Sequence, residues 1–137
     1  MSELVSLSLG ATLDLEQMIR DLGEPEPEHE FEHTFMAGLY IRQLRIKARS
    51  LVVGKMHRHA SVLFLMKGMA RIWSHGETFD VAAPHRILAP GMSKRVLFAF
   101  TDVEVMNVYP TNLRSLDEIE QELIVPADEV AKLDRSM

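Results

Sequence analysis

From about Phe35 to Pro110, short runs of β-branched and aromatic residues alternate with Gly, Pro or polar breaks. The pattern predicts strands near 38–48, 50–58, 60–67, 69–75, 78–82, 85–89, 95–100 and 103–109. Breaks fall at Gly54, Gly68, Gly76, Pro84 and Pro90-Gly91. Many short, closely spaced strands argue for an all-β sandwich or barrel. Val62-Leu63-Phe64-Leu65-Met66 is apolar on both faces. A strand of that kind is covered on one side by the core and on the other by a partner or a terminal segment.

Outside this region the period changes to that of a helix. Leu15, Met18, Ile19 and Leu22 fall at i, i+3, i+4 and i+7, with Thr12 or Asp14 as cap and Gly23 at the end. Glu24-Pro25-Glu26-Pro27-Glu28 reads as an extended, charged linker. Ser115 and Glu118 form a capping box before Leu116, Ile119 and Leu123, and Pro126 suits the first turn of a second short helix carrying Val130 and Leu133. The expected organisation is a helix and acidic linker over 1–35, a β-barrel over 36–110 and helices over 111–137.

The chain has 137 residues, which is one domain by size. It lacks cysteine, which excludes disulfides, thiolate metal sites and a cysteine nucleophile. No apolar run approaches a membrane span, and the N-terminus lacks the basic start of a signal peptide, so the expected location is the cytoplasm. Charge is uneven. Residues 1–35 hold nine acids and one base, residues 36–110 four acids and eleven bases, and residues 111–137 seven acids and three bases. A basic centre attracts anions, unless the acidic ends lie across it. Nucleic acid is not favoured as the anion, because the bases are scattered with no stripe and no series of stacking aromatics.

The local feature that carries chemistry is Lys55-Met56-His57-Arg58-His59-Ala60-Ser61. On a strand, Lys55, His57, His59 and Ser61 share one face, and two imidazoles so spaced converge on one metal ion. A stable site needs a third or fourth protein ligand.

Here the sequence resembles the cupin family over roughly residues 36–110. His57-Arg58-His59 is similar to the histidine pair of the first cupin motif, and Gly68 to its closing glycine. Pro90-Gly91 begins a segment similar to the second motif. The texture is similar to short cupin-like proteins encoded by bacteriophages, in Gly54 to His57, Pro90 to Val96 and Asp117 to Glu120. The resemblance implies an all-β, single jelly-roll barrel with short N- and C-terminal helices. It also implies a host-cytoplasm location if the phage likeness holds.

Departures from the family pattern shape the functional reading. The motif glutamate falls on Leu63 or Phe64, the leading glycine on Leu51, and the third histidine on Lys94 or Arg95. A cation therefore stands where a ligand belongs, and it repels a divalent ion. Replacement ligands would come from Asn107, Tyr109, His75 or His85. In the other use of the pocket, Arg95, Lys94, His57, His59, Lys55 and Arg42 converge on an anion, with Tyr109 and Asn107 beside them. Arginine forks and lysine suit carboxylate or phosphate. Buried cations need a counter-charge, and the β-region supplies few acids.

Three functions follow. The favoured one is a non-catalytic barrel that binds a small anion, in a phage setting a nucleotide-derived host signal. The second is a metal-dependent enzyme of isomerase, lyase or dioxygenase type, with Fe, Mn, Ni or Zn on His57 and His59. The third is an oligomeric phage accessory protein. A homodimer or higher homo-oligomer is expected in each case, and no membrane partner. Trp73 reads as packing and the nine methionines as plastic core. His29 and His33 read as part of a solvated linker.

Overall fold

A computed structural model describes residues 7–22, 29–74 and 76–137. The chain opens with helix α1 (Leu9–Asp21) and then forms β1 (Glu30–Met36), β2 (Leu39–Ile46), β3 (Leu51–Val53), β4 (Ser61–Lys67) and β5 (Met69–Ser74). β6 (Glu77–Ala82), β7 (His85–Ala89), β8 (Val96–Ala99) and β9 (Val103–Pro110) follow, then helices α2 (Leu116–Leu123) and α3 (Ala127–Val130). Two antiparallel sheets face each other, ordered β1-β2-β9-β4-β7 and β3-β8-β5-β6. No helix among the described residues is long and apolar enough to cross a membrane.

The sheets enclose a core of Leu44 and Ile46 from β2, Leu63 and Leu65 from β4, Ala70 and Ile72 from β5, Leu97 and Ala99 from β8, and Val103 and Val105 from β9. Strand alternation puts these side chains on the inner faces. Each fully buried aliphatic side chain contributes about 1.5–3 kcal/mol, so this end of the barrel carries the stability. The opposite end is closed by two smaller clusters. Ile119 and Leu123 of α2 pack on Tyr40 and Tyr109. Leu9 of α1 packs with Met56, Val125 and Val130.

Four expectations need correction. The cap of α1 is Ser8, whose hydroxyl accepts from Ala11 N at 3.1 Å, because Thr12 is buried and donates to Ser8 O. The buried stripe of α1 is Leu9, Gly10 and Thr12, whereas Met18 and Leu22 are exposed. Residues 30–35, read as linker, belong to β1, an edge strand bathed by water that needs no apolar alternation. The predicted strand 50–58 stops at Val53. Gly23, the linker at 24–28 and His75 lie outside the described residues.

Beyond Val53 the backbone crosses between two neighbours. His57 N donates to Ser93 O at 3.1 Å, and Met92 N donates to His57 O at 2.7 Å. Arg58 N donates to Leu123 O at 2.8 Å, and Val125 N donates to Met56 O at 2.9 Å. The peptide groups are thus satisfied by the 90–95 loop on one side and the C-terminal segment on the other. Gly91 permits this approach, since a β-carbon there would stand 2.7 Å from Arg58 O.

Candidate functional site

Register fixes which side chains meet inside the barrel. Leu44, Val105 and Leu65 form one inward row. The next row holds Arg42, Asn107 and Leu63, and the row beyond holds Tyr40 and Tyr109. The interior therefore changes from apolar to polar and aromatic along the axis. On the facing sheet Leu97 and Ala99 point inward. The Arg95 guanidinium, just ahead of β8, is buried, and the Tyr109 and Arg42 side chains act on its charge.

The polar end is short of acceptors. Arg95 Nη1, Asn107 Nδ2 and the Ser61 hydroxyl are buried with no hydrogen-bond partner among the described residues. Burial holds the Arg95 guanidinium below its ordinary range, and Arg42 pushes in the same direction. A guanidinium keeps its proton regardless. The acids of residues 36–110 are engaged or face water: Asp80 with Arg71, Glu104 with Arg45, Asp102 on Ala48 N, and Glu77 exposed.

His57 and Tyr109 complete the cluster. The Tyr109 hydroxyl is 3.2 Å from His57 Nδ1. Burial pushes His57 down to about 4, helped by Arg95, Arg42 and Lys94. Burial pushes Tyr109 up to about 12, against the pull of Arg95 and Arg42. With Tyr109 donating to Nδ1, the ring proton sits on Nε2. Arg42 lies over the Phe31 ring at 4.8 Å, a cation–π contact that holds the guanidinium beside the interior. His33 and Tyr40 extend the stack of rings outward, with His33 Nδ1 and the Tyr40 hydroxyl 2.7 Å apart.

Of the residues singled out from sequence, the fold gathers Arg95, Arg42, His57, Tyr109 and Asn107. It sends Lys94, Lys55 and His59 elsewhere. Lys94 Nζ donates to Gly54 O at 2.9 Å and to Glu16 at 3.2 Å, with a side chain 8% exposed. Lys55 is exposed and pairs with Glu120. His59 is exposed, because residues 54–60 form a crossing rather than a strand and alternation does not apply. Acids from the two acidic ends thus cap basic residues of the centre, including Arg58 through Glu129 at 3.6 Å, while no described acid pairs with Arg95. Ser61 and Tyr40 were not chosen from sequence as site residues. Tyr40 shares the period-2 face of Arg42, which was the available signal.

A divalent ion does not fit this donor set. His57 offers one neutral imidazole, two guanidinium charges act on it, and His59 is exposed. Among the described residues no group of three or more His, Asp or Glu side chains is placed to share an ion. His85, a possible replacement ligand, is also exposed.

A groove of about 640 Å³ opens at Gly38, Pro110, Thr111, Asn112, Leu113 and Glu122. It offers an acid and no cation, so it does not suit an anion. A space of about 20 Å³, room for a water, lies under α1 beside Met56, Ser93 and Lys94.

No family model and no curated protein matches the sequence. Solved structures do. Salicylate 1,2-dioxygenase from Pseudoaminobacter salicylatoxidans superposes with a TM-score of 0.59 at 16% identity, over 82% of this chain and 33% of that one. This chain therefore spans about a third of the dioxygenase. A conserved protein of unknown function from Streptococcus pyogenes, SPY1581, superposes with a TM-score of 0.52 at 15% identity, over 66% of this chain and 80% of that one. These likenesses bear on the cupin resemblance and not on the phage one. At such identity they establish the fold alone: the chain is a cupin-type jelly roll with short terminal helices.

Proposed function

We propose that this protein binds a small anionic molecule in its barrel and does not transform it. The supporting observation is the buried Arg95 guanidinium, whose Nη1 has no acceptor among the described residues, at an end of the barrel where Asn107 Nδ2 is likewise unpartnered. An unsatisfied buried donor costs about 1–3 kcal/mol, more when charged. A carboxylate or phosphate oxygen at Arg95 removes that cost and neutralises the charge. Arg42 adds a second cation, and His57 and Tyr109 supply neutral polar contacts. In the setting that the phage-like motifs suggest, the ligand is a nucleotide-derived host signal, sequestered rather than turned over.

The alternative, a metal-dependent enzyme using His57 and His59, draws support from the likeness to a dioxygenase. The donor set around His57 argues against it.

Titration calorimetry with small carboxylates, inorganic phosphate and linear and cyclic nucleotides tests the proposal. Saturable heat with at least one anion, lost in Arg95→Met, is the expected result. No binding tighter than millimolar across the panel overturns it.

A further inference from the structure

The outer face of the β1-β2-β9-β4-β7 sheet carries an apolar surface that belongs to none of the three buried clusters among the described residues. Register arranges it in rows across the sheet. One row runs Thr34, Ile41, Val108, Val62, Leu88. The next runs Glu32, Gln43, Met106, Phe64, Arg86. Leu88 is 69% exposed and Met66, on the same face of β4, 53%. A contiguous apolar face of this kind marks an interaction surface. The sequence pattern in 62–66 demands a cover for both sides of β4, and the barrel core covers only Leu63 and Leu65.

The geometry points to a second copy of this chain as the cover, stacked face to face about a two-fold axis that runs along β9. The argument is charge complementarity. β9 is the central strand, with β1 and β7 at the two edges. A two-fold axis along β9 lays β1 of one copy over β7 of the other and keeps each row at its own height. Glu32, at the β1 end of its row, then faces Arg86 at the β7 end of the partner's row, and the pair occurs twice. Met106 and Val108 meet their own copies at the centre. Stacked sheets cross at about 30°, an offset that a glutamate and an arginine side chain can span. An axis across the strands would instead lay β1 over β1 and bring no such pair together. Beyond these rows Arg45 is already held by Glu104 and Glu30 of its own chain, which makes a polar rim.

The test uses the full chain. Sedimentation and light scattering should show a dimer for the native protein. Glu32→Arg and Arg86→Glu each place like charges opposite one another, and each should weaken the dimer by about tenfold or more. Mixing the two variants restores both pairs, one with its signs exchanged and one in the native sense. Native mass spectrometry should then find mixed dimers in excess over either homodimer. Leu88→Lys, on the same face but outside the ion pair, should weaken the dimer without any rescue on mixing with Arg86→Glu. A native protein that stays monomeric at high concentration overturns the proposal. So does a dimer indifferent to both charge reversals, or a mixture with no preference for mixed dimers.

Discussion

The Tyr109 hydroxyl lies 3.2 Å from His57 Nδ1, and the two rings stack with centroids 5.6 Å apart and planes 16° apart. Each group is held in its neutral form at neutral pH, the imidazole at about 4 and the phenol at about 12, mainly by burial. The pair orients rather than charges the polar end of the barrel, and the formal charge there belongs to Arg95 and Arg42.

An anion beside Arg95 offsets the cationic repulsion that adds to burial in keeping His57 deprotonated. His57 should titrate near 4 in the free protein and at higher pH once the anion is bound. Affinity should therefore rise as pH falls toward the free-protein value. Proton-detected titration of the imidazole, with and without ligand, reads both values. A free-protein value near 6.5 would place His57 in water and remove it from the cluster.

Stability should carry the same signature. The His57 value is lower in the folded chain than the ordinary 6.5. Its contribution is complete above 6.5 and is lost as pH falls from 6.5 toward 4. The loss is at most about 3 kcal/mol. His57→Phe keeps the ring stack and should flatten this part of the pH profile, measured as urea midpoints from pH 7 to 4.

Replacing Arg95 separates binding from folding. Arg95→Met removes an unpaired buried cation and keeps the volume, so the free protein should gain about 1–3 kcal/mol. The same change should abolish the rise in melting temperature that the anion gives the native protein. A site residue that costs stability is the usual trade at a functional centre. Loss of stability in Arg95→Met, measured without ligand, would assign Arg95 a structural role instead.

Much of the barrel was legible because alternation is a local signal. β4, β7 and β9 lie where their apolar periods put them. β1 escaped because Glu30-Phe31-Glu32-His33-Thr34 describes a strand that water bathes, and its polarity resembles that of a linker. The helix phase of α1 was misread for a related reason. Glu16 lies on the packed side of α1 and reaches Lys94, whereas apolar Met18 and Leu22 face solvent. His59 was grouped with His57 by a strand rule that fails where the chain crosses between two loops. The choice between Lys94 and Arg95 could not be made from sequence, because Val96 and Leu97 are both buried and the run gives no parity.

Lys94 provides a control. Glu16→Gln removes its carboxylate partner and leaves the ammonium with Gly54 O alone at 8% exposure. The expected cost is about 1–3 kcal/mol in thermal or urea unfolding, with anion affinity unchanged. An affinity that rises in Glu16→Gln would mean that Lys94 can swing to the ligand.

Metal content offers a direct test of the alternative activity. Protein purified without a histidine tag should hold Fe, Mn, Ni or Zn well below one equivalent, and His57→Ala with His59→Ala should not change the amount. A stoichiometric metal lost in that double variant would favour the enzyme reading.

The amide of Arg58 hangs on Leu123, the last residue of α2, and the imidazole precedes it by a single peptide unit. The outward surface of α2 is thereby mechanically linked to the interior. Under the proposed anion-binding reading, a load on that helix would reach the His57 ring through one hydrogen bond and one peptide unit. Occupancy of the barrel would then respond to a surface that never meets the bound molecule.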